Sequence, residues 1–103
     1  VVAQGLCLGV EALPGTDALL TQVAGIGSLR PDPERGKGLF YKAAKPGQDR
    51  RIDLPTIGPD TVRAVAAAGL GGLAFEAGSV ICLELDTMKR LARELGLFLW
   101  ARA

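Results

Sequence analysis

The sequence predicts an α/β fold, a three-layer αβα sandwich with a mixed sheet and about three helices, and three observations lead there. Short apolar runs such as Leu39-Phe40-Tyr41 and Val80-Ile81-Cys82-Leu83 have the length and composition of strands. Between them lie segments whose apolar residues recur at helical spacing, such as Leu19, Leu20, Val23 and Ala24. Glycines and prolines mark the joins. Alternating strands and helices must bury their apolar faces against each other, which gives a layered architecture. The 103 residues fit one small domain, 1–103, with a real but modest core.

The elements follow in order. Val1 to Ala12 reads as a hairpin around Gln4-Gly5, with Leu6, Leu8 and Val10 alternating on one face. Pro14-Gly15 breaks the second strand, and Thr16 or Asp17 is placed to cap a helix that Gly25 and Gly27 end. Arg30 to Gly38 is a loop, followed by a strand over Leu39 to Ala44. Gly58-Pro59-Asp60 starts a second helix, because proline fits the first turn and aspartate suits the positive end of the dipole. Its inner stripe is Val62, Val65, Ala66 and Gly69. Strands over Leu73 to Phe75 and Val80 to Leu83 come next. Asp86 is placed to cap a last helix with Met88, Leu91, Ala92 and Leu95 inward and Lys89, Arg90, Arg93 and Glu94 outward. Gly96 stops it, and Leu97 to Trp100 returns as a strand.

Composition excludes several function classes. Hydrophobic residues make up 49% and charged residues 22%, so the chain is globular rather than disordered. A net charge of +1 gives no global field for a polyanion, and no nucleic-acid partner is expected. No apolar run approaches the roughly 20 residues that span a bilayer. Histidine is absent, so neither a His-dependent triad nor a His-containing metal site can form from this chain. Cys7 and Cys82 both sit in apolar runs and are expected as buried, reduced thiols, which favours a cytosolic setting. Without an initiator methionine, and with Val1-Val2-Ala3 reading as strand interior, the chain is expected to be part of a longer protein.

Chemistry concentrates between Lys45 and Thr61, which holds one lysine, two arginines, three aspartates and three prolines. Lys45, Arg50 and Arg51 can supply phosphate-binding charge, with bidentate geometry from the guanidiniums. Asp49 and Asp53 can converge on a hard cation such as Mg²⁺, which prefers carboxylate oxygen and water. A plainer reading is a solvated, charge-paired loop with helix-capping aspartates. Gly15-Thr16-Asp17 at a helix start can bind an anion through free N–H groups, or be a simple N-cap. Glu11 ends a strand just before that turn, and Glu76 is a weaker candidate of the same kind. Gly27 to Lys37 lacks P-loop spacing. Lys89, Arg90 and Arg93 read as solvated surface, and Trp100 as core or interface.

These residues resemble a family. Val10-Glu11-Ala12 with Gly15-Thr16-Asp17-Ala18 resembles one signature of the LpxI-type UDP-2,3-diacylglucosamine pyrophosphatases. Lys42, Lys45-Pro46-Gly47-Gln48-Asp49, Arg51, Asp53, Pro55, Gly58 and Thr61 resemble its main signature, and Ala74 to Gly78 is similar to a third. Before Gly15 the chain departs from the pattern, with Leu13-Pro14 where an acidic residue is expected. The resemblance implies the C-terminal catalytic domain of a two-domain enzyme whose other half is an N-terminal, Rossmann-like domain. It implies Mg²⁺-dependent hydrolysis of UDP-2,3-diacylglucosamine to UMP and lipid X, at the cytoplasmic face of the bacterial inner membrane. On that reading Asp49 and Asp53 are catalytic and hold the metal. Lys45, Gln48, Arg50, Arg51, Gly15, Thr16 and Asp17 bind substrate, and a homodimer stays open. The rival is a non-catalytic module holding a nucleotide or other anion in the same loop. A zinc deaminase on a similar fold would need a His/Cys ligand set that this chain lacks.

Overall fold

In order along the chain the elements are β1 (Val2–Ala3), β2 (Leu6–Cys7), α1 (Thr16–Gly25), β3 (Leu39–Lys42), β4 (Thr56–Ile57), α2 (Pro59–Ala67), β5 (Gly72–Glu76), β6 (Ile81–Cys82), α3 (Leu85–Leu95) and β7 (Phe98–Arg102). The computed structural model describes residues 1–3, 5–11, 15–27, 37–44 and 55–102. A five-stranded sheet has the order β2-β1-β3-β5-β7, and β4 pairs with β6 in a separate two-stranded sheet. β1 runs antiparallel to β2 and β3, whereas β3, β5 and β7 are mutually parallel. The expected α/β class, mixed sheet and three helices are all present.

The two parallel steps, β3 to β5 and β5 to β7, cross the sheet in one direction. Right-handed crossovers then put α2 and α3 on the same face. α2 packs against both α3 and α1, so the three helices form one layer. Leu20 and Val23 from α1, Val62 and Val65 from α2, and Met88 from α3 are at most 2% exposed there, as are Phe40 and Leu73 from the sheet. Each such side chain contributes about 1.5–3 kcal/mol by leaving water. Strand alternation sends Tyr41, Ala74 and Trp100, which are in register, to the opposite face. Among the described residues no helix covers that face, so they form two layers rather than the expected three-layer sandwich, and Tyr41, Phe98 and Trp100 are roughly half exposed on it.

Gly38 shows how tightly the hairpin is seated. Its φ is +89°, and a Cβ there would stand 2.5 Å from the Val2 carbonyl oxygen. Only glycine meets both conditions without strain.

Several sequence expectations need correction. β2 is only two residues long, although the Leu8 N–H continues the hairpin ladder to the Val1 carbonyl, and of Leu6, Leu8 and Val10 only Leu8 packs against the core, so the expected apolar face is not realised. Leu6 and Val10 are exposed. Cys7 and Cys82 are both free thiols, but Cys7 is exposed and Cys82 half-buried, its thiol pKa pushed up by burial. In α1, Ala24 faces solvent. α2 ends at Ala67, so Gly69 lies in the following turn and Ala68 takes the buried place. Leu95 is exposed at the end of α3. Trp100 belongs to the bare sheet face, with the Arg102 guanidinium 5.9 Å from its ring centre.

Candidate active site at the helix N-termini

A helix start carries unpaired N–H groups and the positive end of the dipole. Here all three helices begin around one cleft of about 500 Å³. Its wall is built from Gly15, Thr16 and Asp17 at the start of α1, Thr56 to Thr61 through β4 into α2, and Leu83 and Glu84 before α3. The cleft lies where β3 delivers the chain toward its carboxyl end, the edge at which open α/β sheets bind ligands.

The three helix starts share a second property. None is closed by a side-chain hydrogen bond from its N-cap residue. Gly15, rather than Thr16 or Asp17, holds the N-cap position of α1, with φ +96°. A Cβ at Gly15 would meet nothing within 4 Å, so glycine is required by the backbone angle, not by crowding. At α2, Thr61 Oγ1 accepts the Gly58 N–H at 3.1 Å, but Gly58 has no side chain to complete a reciprocal box. Before α3, Glu84 rather than Asp86 is the N-cap, in a left-handed conformation at φ 47°. It is the one described non-glycine residue with positive φ. Such a conformation costs on the order of 1–3 kcal/mol and tends to gather at functional sites.

Beside Thr16 sits a charged cluster. Lys42 Nζ, at the end of β3, donates to Glu11 Oε2 at 2.8 Å and to Thr16 Oγ1 at 2.7 Å. The Thr16 hydroxyl donates to the same Glu11 oxygen at 2.7 Å. Its only proton is thereby committed, and toward the cleft it offers a lone pair. That suits a sugar hydroxyl better than a phosphate oxygen. The backbone N–H groups of the helix starts suit the phosphate.

Of the residues expected at the site, the structure brings Gly15, Thr16 and Asp17 together on the cleft wall. Lys45, Gln48, Asp49, Arg50, Arg51 and Asp53 lie outside the described residues. Glu76 ends β5 on the same face as Ala74, away from the helices. Sequence reasoning passed over Thr56, Leu83 and Glu84 as site residues. It met Lys42 only as part of a resemblance, although a lone cation closing an apolar strand was a usable signal. Among the described residues no group of three or more His, Cys, Asp or Glu converges as a metal site would. Asp60 instead pairs with the Arg63 guanidinium at 2.7 Å in open solvent. The described carboxylates therefore do not form a cation cage by themselves.

The LpxI C-terminal domain family model matches residues 1–100. The chain belongs to this family. Over 99 residues it is 46% identical to the protein named UDP-2,3-diacylglucosamine pyrophosphatase LpxI of Caulobacter vibrioides, an alignment covering 95% of this chain and 35% of that protein. The chain thus spans about a third of the length of that curated relative. The resemblance seen in the Glu11, Lys42 and Lys45-to-Thr61 segments holds at the family level. No helix among the described residues is long and apolar enough to cross a membrane.

Proposed function

We propose that this chain is the C-terminal catalytic domain of a two-domain hydrolase acting on UDP-2,3-diacylglucosamine in lipid A biosynthesis. The observation that carries the reading is the cleft, where three helix starts without N-cap side-chain bonds face one space in a chain of this family. Oriented N–H dipoles stabilise negative charge without reorganising, which is what a diphosphate and its transition state require. The segment with the remaining candidates leaves after Lys42, which bonds Thr16, and returns at Thr56, which lines the cleft. Asp53 is three residues from Thr56, a covalent span of at most about 11 Å.

In the reaction a water oxygen bonds to one phosphorus and the bridging P–O bond breaks. The products are UMP and 2,3-diacylglucosamine 1-phosphate, and the water's proton passes to a carboxylate. Asp49 and Asp53 take that role and orient the water; Lys45, Gln48, Arg50 and Arg51 hold the phosphate oxygens. Mg²⁺, held by Asp49 and Asp53, would neutralise diphosphate charge when bound. A Rossmann-like N-terminal domain would complete the site. The acylated substrate places the protein on the cytoplasmic side of the inner membrane, and association into a homodimer belongs to the same reading.

UMP release by the full-length protein, with Mg²⁺ or with EDTA, tests this. Asp53→Ala or Asp49→Ala is expected to lower kcat at least 100-fold, with the fold intact by circular dichroism. Unchanged turnover in both variants removes the site assignment. Binding of substrate by the wild type without UMP release would instead identify a non-catalytic module.

A further inference from the structure

The cleft has an apolar lip that diphosphate chemistry does not need. Ile81 and Leu83 point outward on either side of Cys82, which packs against the core. They are 42% and 53% exposed, and Leu85, where α3 begins, is 39% exposed. Leu83 is itself part of the cleft wall, which it shares with Gly15 and Thr16, and it stands beside Gly58. Backbone bonds fix the strip, because the Ile81 N–H donates to Pro55 O at 2.8 Å and the Leu83 N–H to Ile57 O at 2.9 Å. One exposed leucine carries no information. Three neighbouring apolar side chains continuous with a polar, anion-seeking cleft describe an amphiphilic binding site.

We propose that Leu83, flanked by Ile81 and Leu85, takes an acyl chain of the substrate and sets the enzyme's dependence on chain length. The proposal rests on the hydrolase reading above. A ligand whose polar end lies against the helix starts must leave the cleft past a lip. On the Leu83 side that lip is apolar and firmly held, so a hydrocarbon chain loses water there while the diphosphate stays among the N–H groups. A glucosamine diphosphate bearing acyl chains has this division of polarity.

The test compares two substrates in detergent micelles with the full-length protein: UDP-2,3-diacylglucosamine with long acyl chains, and an analogue bearing two acetyl groups. Leu83→Gln and Leu85→Gln place polar groups where the side chains are already exposed, and melting curves check that both variants fold. In both variants the ratio of kcat/KM for the long-chain substrate to kcat/KM for the acetyl analogue is expected to fall at least tenfold. Equal losses on both substrates, or no change on either, overturn this proposal and leave the hydrolase reading standing. Failure of the wild type to cleave either substrate overturns the hydrolase reading and this proposal with it.

Discussion

Lys42 answers to two partners, and its value follows from where it sits. Its side chain is 15% exposed and that of Glu11 26%, so water screens the pair only partly. The Arg63–Asp60 pair has the same chemistry with side chains 56% and 99% exposed. A shared charge should matter at the first site and hardly at the second. Lys42→Met is therefore expected to cost about 1–3 kcal/mol, because it strands oxygens of Glu11 and Thr16 that were arranged around a cation. Arg63→Met should change stability by less than about 0.5 kcal/mol. Urea unfolding of both variants decides it, and equal midpoint shifts would refute the distinction. Cys82 adds a small pH dependence of known sign. Burial raises its pKa above 9.0, so its contribution to stability is complete below that value and declines as pH rises through the folded-state pKa.

At the scale of elements, the sheet depends on how closely β1 approaches the start of β3. Gly38→Ala would add a methyl against the Val2 carbonyl and force an alanine to positive φ. A loss of about 1–3 kcal/mol is expected, read as a lower melting temperature. A variant as stable as wild type would mean the hairpin can move aside freely. Helices and parallel strands were legible in the sequence because they carry periodic signals. Val62 and Val65 mark the inner side of α2, and Met88 and Ala92 that of α3, as expected. Helix starts were less legible. Thr16 and Asp86 look like caps by residue type, but the backbone places Gly15 and Glu84 there instead. A left-handed glutamate has no sequence signature, since its conformation is imposed by the β6–α3 joint.

For the molecule as a whole, the site was legible as a set of segments and not as a place. Glu11 and Lys42 are 31 residues apart in sequence, and the fold brings them within a hydrogen bond of each other. Glycine at 15 and Asp17 were visible locally, whereas Leu83 joins them only after the crossover from β3 to β5. The same topology leaves β7 at the rim of the sheet. The Phe98 N–H donates to Gly71 O at 3.2 Å and Arg102 O accepts from the Ala77 N–H at 2.7 Å. In a parallel ladder, the amides of Leu99 and Ala101 then point away from β5. Those two protons should trade with deuterium orders of magnitude faster than the Leu73 and Ala74 amides of the enclosed strand β5, an NMR measurement. Slow exchange at Leu99 and Ala101 would reveal that a further strand zips onto this rim in solution.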